Sequence, residues 1–279
     1  MKKTGILLLL QFLAIGLHAQ VCCHAPTDGS TVSVTRAEFH EAHQVPKPIN
    51  YKPKEFSTMV KFATLDGRGA TAFYVPARQP ATEVVIIYPE WWGMTDHIKK
   101  EAERWQEMLG GKVDIYVPDM YDGQVAADAQ QAAKLSAAST DERKRAIING
   151  LFSEIGQQKR VVTMGWCMGA DWAFKSALMK GEQVAAAVLF FGVPMMNDED
   201  VKNLKADVIF INGRYDKFVT KESVDHFERQ VLANGRKFER HDFDAPHAFS
   251  NPSNPQFDAK NAVAAEQFVI AFLKTRMQL

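Results

Sequence analysis

The chain has 279 residues, with 33 basic and 33 acidic side chains, so its formal net charge is zero. Hydrophobic residues make up 46% and charged residues 24%, a balance that excludes a disordered, collagen-like or coiled-coil protein. A neutral chain gives no electrostatic reason to expect nucleic-acid binding, and three cysteines are too few for a disulfide scaffold. The length suits one large α/β domain or two small domains.

The first twenty residues are typical of a secretory signal peptide. Lys2 and Lys3 precede an apolar run, Gly5 to Leu17, that is broken only by Gln11. The run is shorter than the roughly 20 residues that a membrane-spanning helix needs. We therefore expect cleavage near residue 20 and export to the periplasm or the exterior, with an uncleaved anchor as the alternative. The exact cleavage position is left open, and no later segment is long and apolar enough to span a membrane.

Residues 21–55 are interpreted as an N-terminal arm that lies over the main domain, because they contain four prolines and little regular pattern. Lipid attachment at Cys22 and metal binding are alternatives to the mobile arm that we prefer, and the role of Cys22 and Cys23 stays open. Structural zinc sites usually have a wider spacing between cysteines. The residues considered for metal binding are Cys22, Cys23, His24, His40 and His43.

Residues 56–279 alternate short apolar runs with amphipathic segments. The predicted strands are Met59–Thr64, Ala70–Val75, Glu83–Tyr88, Val113–Val117, Val161–Met164, Ala186–Phe191, Asp207–Ile211 and Phe238–Phe243. The predicted helices are 96–109, 124–137, 141–156, 168–180, 220–234 and 257–275. This order predicts a single α/β domain, a mostly parallel central sheet with helices on both faces. The charged stretches 99–101 and 141–145 are interpreted as solvated helix faces.

Ligands of such sheets bind beyond the carboxyl ends of the strands, and a nucleophile motif lies at one of them. Gly165-Trp166-Cys167-Met168-Gly169 joins a predicted strand to a predicted helix. This is the nucleophile-elbow pattern with cysteine in the place of serine. The glycines prevent clashes in a tight turn, and the helix N-terminus favours a thiolate.

A thiol nucleophile needs a base, and the base needs an acid that orients it. His247 follows the last predicted strand in a loop that is expected to reach over the sheet. Asp216 follows a strand and a glycine turn, and the order Cys…Asp…His is that of α/β-hydrolases. Asp242 and Asp244 are rival acids.

Together these motifs resemble the dienelactone hydrolase family of the α/β-hydrolase superfamily, over roughly residues 56–275. The resemblance rests on 165–169, Gly213-Arg214-Tyr215-Asp216 and Pro246-His247-Ala248-Phe249, with Pro89-Glu90-Trp91-Trp92-Gly93 and Val117-Pro118-Asp119-Met120-Tyr121 as further matches. It implies an α/β-hydrolase fold and a catalytic triad of Cys167, His247 and Asp216.

The resemblance also implies roles for the residues around Cys167. Glu90 would contact the resting thiol and move aside when substrate binds, and a nearby carboxylate disfavours the thiolate. The backbone N–H groups of Trp91 and Met168 would form the oxyanion hole. The expected reaction is acyl transfer through a thioester.

This chain departs from the family pattern at the substrate carboxylate. Members that act on dienelactone hold the carboxylate of the substrate with two arginines. At the corresponding places this chain has the segment 122–124, which ends in Gln124, and Asn251, so neither arginine is present. Because a bidentate arginine clamp has no neutral equivalent, we expect a substrate other than dienelactone. The candidate pocket residues are Trp91, Trp92, Tyr121, Phe249 and Asn251.

The sequence therefore predicts an exported cysteine hydrolase of small-molecule esters or lactones. A non-catalytic binding protein on the same scaffold is the alternative, and a redox role of Cys167 with Cys22 or Cys23 is a weaker one. No cofactor and no metal are expected, because the chain has neither a phosphate loop nor a dinucleotide fingerprint. The natural substrate and the oligomeric state are not determined by the sequence.

Overall fold

A central eight-stranded sheet organises the chain. The computed structural model describes residues 41–194 and 198–279, so the predicted signal peptide and residues 21–40 of the predicted arm, with Cys22, Cys23, His24 and His40, lie outside the described residues. The strands are β1 (Thr58–Phe62), β2 (Ala70–Val75), β3 (Glu83–Tyr88), β4 (Asp114–Pro118), β5 (Arg160–Trp166), β6 (Val184–Phe190), β7 (Asp207–Gly213) and β8 (Phe238–Phe243). All eight overlap the predicted strands.

The strand order is β1-β2-β4-β3-β5-β6-β7-β8. β1 and β2 form an antiparallel pair, and β2 is antiparallel to β4. Every other neighbouring pair, from β4 to β8, is parallel. The carboxyl ends of β3 to β8 therefore meet at one edge of the sheet, where ligands of such folds bind.

Seven α-helices, one of them a single turn, have both ends within the described residues and surround the sheet. They are α1 (Asp96–Met108), α2 (Ala129–Ala138), α3 (Asp141–Ile155), α4 (Met168–Lys180), α5 (Asp198–Val201), α6 (Lys221–Ala233) and α7 (Ala259–Lys274). The four-residue α5 was not predicted. The prediction placed the start of α2 at residue 124, which is wrong by five residues. Asp128 caps this helix by accepting a hydrogen bond from the Gln131 N–H, and the preceding residues form turns.

The burial of the strands explains why their positions could be predicted from apolar runs in the sequence. All six residues of β3 are buried, so both faces of this strand are covered, as its continuous apolar run indicates. The mostly parallel α/β architecture is confirmed. Among the described helices, none has the length and apolar character required to cross a membrane.

Arg143 corrects the interpretation of residues 141–145 as a solvated face. Its side chain is only 5% exposed. Its guanidinium lies 2.9 Å from Asp66 and 2.5 Å from Asp122, and it also donates to the Gly69 carbonyl. A buried guanidinium is stable only when it is paired in this way. Arg143 thus fastens the β1–β2 turn and the segment after β4 to α3.

Candidate active site

Cys167 occupies the sharp turn between β5 and α4. Its backbone has φ 52° and ψ −117°, a region that residues with a Cβ rarely adopt. Such strain concentrates at functional positions. The turn ends the strand and places the thiol immediately before the N-terminus of α4, at the sheet edge where the carboxyl ends of the strands meet.

The two glycines of the motif are required by close backbone contacts. A Cβ on Gly165 would lie 2.1 Å from the Gly169 carbonyl oxygen, and a Cβ on Gly169 would lie 2.3 Å from the Tyr88 carbonyl oxygen. Any side chain at either position would push α4 away from β3 and β5. The G-x-C-x-G spacing therefore has the steric cause that the sequence suggested.

Asp216 follows β7 and is oriented by its own backbone turn. Its Oδ1 accepts hydrogen bonds from the N–H groups of Phe218 at 2.8 Å and Val219 at 2.9 Å. Its Oδ2 lies 2.7 Å from His247 Nδ1. With one oxygen held by the main chain, the other is left to hold the imidazole.

The rival acids have other partners. Asp242 lies 2.8 Å from Arg240, and Asp244 lies 2.6 Å from Arg214 at the surface. The structure thus brings Asp216 to His247.

His247 is buried in the loop between β8 and α7. Main-chain hydrogen bonds hold this loop to the end of β7, from Arg214 N to Phe243 O at 2.7 Å and from Tyr215 N to Ala245 O at 3.1 Å. Within the described residues, the Nε2 of His247 has no hydrogen-bond partner. An imidazole with Nδ1 held by a carboxylate and Nε2 unpartnered is arranged to accept a proton.

A residue of the arm completes the group around the thiol. His43 Nε2 lies 3.7 Å from Cys167 Sγ, and its ring centroid lies 4.9 Å from that of His247. The Cys167 sulfur and one nitrogen from each histidine all lie within 4.8 Å of one another. Asn254 anchors this part of the arm by donating to the Ala42 carbonyl at 2.8 Å.

Glu90 lies in the same small cavity and is held by Asn251. The Nδ2 of Asn251 lies 2.7 Å from both carboxylate oxygens of Glu90. Burial raises the pKa of Glu90 to about 7, against the lowering influence of the nearby His247 and of the Asn251 hydrogen bonds. Glu90 is therefore expected to change its charge near neutral pH.

The predicted oxyanion donors occupy suitable elements. Met168 is the first residue of α4, so its N–H has no acceptor within the helix. Trp91 follows β3 in the turn closed by the hydrogen bond from Gly93 N to Glu90 O. Both residues therefore lie at the sheet edge beside Cys167.

Of the five candidate pocket residues, Trp91, Trp92 and Asn251 line the cavity that contains Cys167, and Tyr121 and Phe249 lie outside its lining. Trp91 and Trp92 are neighbours with ring centroids 4.9 Å apart, and both line the cavity that contains Cys167. Tyr121 is buried, with its hydroxyl 3.4 Å from the Met168 sulfur. Phe249 is fully buried against Phe191 and Phe243, so its ring belongs to the core instead of a substrate mouth.

Comparison with a protein-family model decides the assignment. The model of the dienelactone hydrolase family matches residues 70–277. The chain belongs to the dienelactone hydrolase family. It is accordingly an enzyme of the carboxylic ester and lactone hydrolase class.

Individual relatives of this family member agree with that assignment. A protein of Aquifex aeolicus described as a proposed carboxymethylenebutenolidase is 25% identical over 215 residues, 74% of this chain and 93% of the relative. A dienelactone hydrolase-like promiscuous phosphotriesterase from metagenomic libraries has a similar fold, with a TM-score of 0.67 and 19% identity over 79% of this chain and 99% of the other. A proposed dienelactone hydrolase from Klebsiella pneumoniae has a TM-score of 0.63 and 18% identity, over 77% and 98%.

In this member of the dienelactone hydrolase family, His43 lies beside Cys167, and the sequence did not predict that contact. It was considered only as a metal ligand of the arm, and no motif marks it. The family match begins at residue 70, so His43 lies outside the part of the chain that the family model describes.

Proposed function

We propose that this enzyme is an exported, cysteine-dependent hydrolase of ester or lactone bonds that works through a thioester intermediate. One observation carries the proposal. His247 is held at Nδ1 by Asp216 at 2.7 Å, its Nε2 is buried and unpartnered within the described residues, and one of its ring nitrogens lies within 4.8 Å of the Cys167 sulfur. This is the nucleophile, base and orienting acid that acyl transfer requires.

In the acylation step, His247 Nε2 takes the proton of the Cys167 thiol and the sulfur attacks the substrate carbonyl. The N–H groups of Met168 and Trp91 stabilise the oxyanion, each commonly contributing about 3 kcal/mol to the transition state. The tetrahedral intermediate expels the alkoxide, and His247 protonates it. In a lactone the alkoxide stays attached to the acyl chain.

In the deacylation step, His247 acts again as the base. It takes a proton from water as the water attacks the thioester carbonyl. The tetrahedral intermediate then expels the Cys167 sulfur, which receives that proton from His247 as the acid product forms. Asp216 stabilises the imidazolium in both steps and remains ionised.

The environment of Asn251 favours a substrate without a carboxylate. This side chain donates to Glu90 and is not free to hold a substrate anion. An anionic substrate at this position would meet the Glu90 carboxylate, and like charges repel strongly at low dielectric. A neutral ester or lactone has no such penalty.

Export rests on the first twenty residues alone. Their basic start and short apolar run are those of a cleaved signal peptide. N-terminal sequencing of the protein from a periplasmic or culture fraction tests this part. A mature chain that begins near residue 21 supports it, and an intact Met1 contradicts it. A lipid on Cys22 would support export and replace the released form by a lipid-anchored one.

The chemistry is tested with chromogenic short-chain esters and neutral lactones. Cys167→Ala is expected to lower kcat/KM by about a thousandfold or more, because the nucleophile is lost. The double variant C22A/C23A is the matched control, since it removes the other two thiols and should keep the activity. Intact-mass analysis of the quenched enzyme should show an acyl adduct that Cys167→Ala lacks. Equal rates above the uncatalysed background for wild type and Cys167→Ala would remove Cys167 from the mechanism, whereas no rate above background in either protein would favour the non-catalytic alternative.

A further inference from the structure

The thiol, the base and the arm histidine form a compact set of soft and borderline ligands. Cys167 is 2% exposed, His247 2% and His43 6%, so all three side chains are more than nine-tenths buried. Their sulfur and ring nitrogens lie within 4.8 Å of one another, and this is the only such group of three among the described residues. Thiolate sulfur and imidazole nitrogen are both zinc ligands, and zinc sites with three protein ligands keep a fourth, open position.

The distances suit a tetrahedral zinc ion. Zinc–nitrogen bonds of about 2.0–2.1 Å and a zinc–sulfur bond of about 2.3 Å place the nitrogen and sulfur of two ligands about 3.6 Å apart. Cys167 Sγ and His43 Nε2 are 3.7 Å apart. The ligand nitrogen of His247 lies within 4.8 Å of the other two ligand atoms, so it must approach each of them by at most about 1.5 Å to reach tetrahedral spacing.

His247 brings the outer interaction that zinc-bound histidines usually have. Its Nε2 is buried and unpartnered within the described chain, while its Nδ1 lies 2.7 Å from Asp216. A carboxylate on the far nitrogen fixes the tautomer that presents Nε2 to a metal and increases the basicity of that nitrogen. The same hydrogen bond therefore serves proton transfer or metal binding.

We propose that Cys167, His43 and His247 bind one Zn²⁺ ion, with water in the fourth position, and that this ion reversibly inhibits the hydrolase. Binding forms a Zn–S bond and releases the thiol proton to solvent. The sulfur lone pair and His247 Nε2 are then occupied, so neither attack nor proton transfer is available. The ion also ties the arm, through His43, to the catalytic loop. The inhibition rests on the proposed function, whereas the binding does not.

The test measures binding and activity separately. The reduced full-length protein is titrated with zinc chloride against a chromogenic chelator, and with Co²⁺ to detect thiolate-to-cobalt charge-transfer absorption. We expect one tight equivalent, and at least tenfold weaker binding in Cys167→Ser and His43→Ala. Asp216→Asn should weaken binding about 10- to 100-fold, as the loss of an outer carboxylate does.

Three matched variants control for other causes. His43→Phe keeps a ring between Trp91 and Phe218 but has no ligand nitrogen, so it should lose zinc even if His43→Ala folds poorly. His226→Ala removes an exposed histidine of α6 and should bind zinc normally. The C22S/C23S variant should also bind normally, because the site does not include those thiols.

The outcomes separate the two proposals. Undiminished affinity in His43→Phe or Cys167→Ser, or loss of the tight equivalent in C22S/C23S, would overturn the zinc site. If zinc binds as expected but ester hydrolysis continues at full rate in the zinc-loaded enzyme, the inhibition is wrong. If zinc binds and the metal-free enzyme hydrolyses no ester, the proposed function fails while the binding site stands.

Discussion

The amide of Asn251 lies 2.7 Å from both carboxylate oxygens of Glu90, across 161 residues of sequence. Asn251 was predicted to line the substrate pocket; it lines the cavity that contains Cys167, and its amide there binds the Glu90 carboxylate. The bond holds a buried carboxyl group beside Cys167 and His247. Because the pKa of Glu90 is raised to about 7, this pair couples the charge of the site to pH near neutrality.

Glu90→Gln should change how stability depends on pH. The folded protein binds a proton at Glu90 up to about pH 7, whereas the unfolded chain loses it near pH 4.5. Because the folded protein binds this proton more tightly than the unfolded chain, the free energy of unfolding falls as pH rises between about 4.5 and 7. Above pH 7 the contribution of Glu90 to that free energy is at its lowest. We expect Glu90→Gln to gain up to about 3 kcal/mol relative to wild type across that window. Urea unfolding at pH 5 and pH 8 measures the difference. A constant difference between the two proteins at both pH values would contradict the assignment.

Asn251→Ala should raise the pKa of Glu90 further, because the two hydrogen bonds to the carboxylate oppose the effect of burial. The pH–rate profile for a neutral ester should move by several tenths of a unit toward higher pH at any limb that Glu90 controls. Asn254→Ala is a control from the same loop, since its amide binds the Ala42 carbonyl instead. If both variants shift the profile equally, the cause is the loop and not Glu90.

Asp216→Asn should lower kcat by about 10⁴, the size of effect that loss of the orienting carboxylate has in serine triads. The asparagine oxygen can still accept from Phe218 and Val219, so the turn and the fold should be kept. The amide would present a donor to His247 Nδ1 and favour the wrong tautomer. Asp244→Asn is the matched control, because Asp244 pairs with Arg214 at the surface. Steady-state measurement of kcat for both variants tests this role of Asp216. Comparable kcat values in the two variants would remove Asp216 from the proposed triad.

Local patterns were sufficient to predict the sheet, the turn at Cys167 and the three residues proposed as the triad. Buried runs such as β3 and the steric demands of Gly165 and Gly169 act over a few residues, so the sequence displays them directly. The contacts of His43 with Cys167 and of Asn251 with Glu90 span more than 120 residues. These contacts depend on how the arm and the loops after β3 and β8 pack together, and the local sequence pattern does not predict that packing.

The burial of Arg143 likewise depends on residues that are distant in the sequence. A run of charges on a helix normally indicates a solvated face. Here Asp66 and Asp122 arrive from other elements and compensate for the burial of the guanidinium. The run of charges at 141–145 correctly predicted a helix but wrongly predicted that the Arg143 side chain is exposed to solvent.

Arg143→Ala should destabilise the fold by about 2–3 kcal/mol, because it leaves two acids and the Gly69 carbonyl without their donor. The estimate is below that for a fully buried pair since both aspartates are partly exposed. Arg145→Ala, two residues along the same helix and exposed, should change stability by less than about 0.5 kcal/mol. Denaturant unfolding of both variants measures this. Equal stability of the two would show that the network contributes nothing.

Removing the His43 side chain should improve access for large substrates. The cavity that contains Cys167 has a volume of about 10 Å³, room for about one water molecule and not for an acyl group. Substrate must therefore displace the arm segment around His43, and the free energy of that displacement is taken from substrate binding. His43→Ala loses ring contacts with Trp91, Phe218 and His247, so the segment should leave the site more easily.

The expected result is a rise of at least threefold in the ratio of kcat/KM for a long-chain ester to that for an acetate ester, measured without added metal and with chelator present. His97→Ala is a useful comparison. It breaks the hydrogen bond of His97 to the Lys47 carbonyl, a second attachment of the same arm outside the cavity. A smaller rise in that variant would support displacement of the arm as the barrier. If His43→Ala lowers the rates for both esters in equal proportion, His43 assists the chemistry instead of blocking entry.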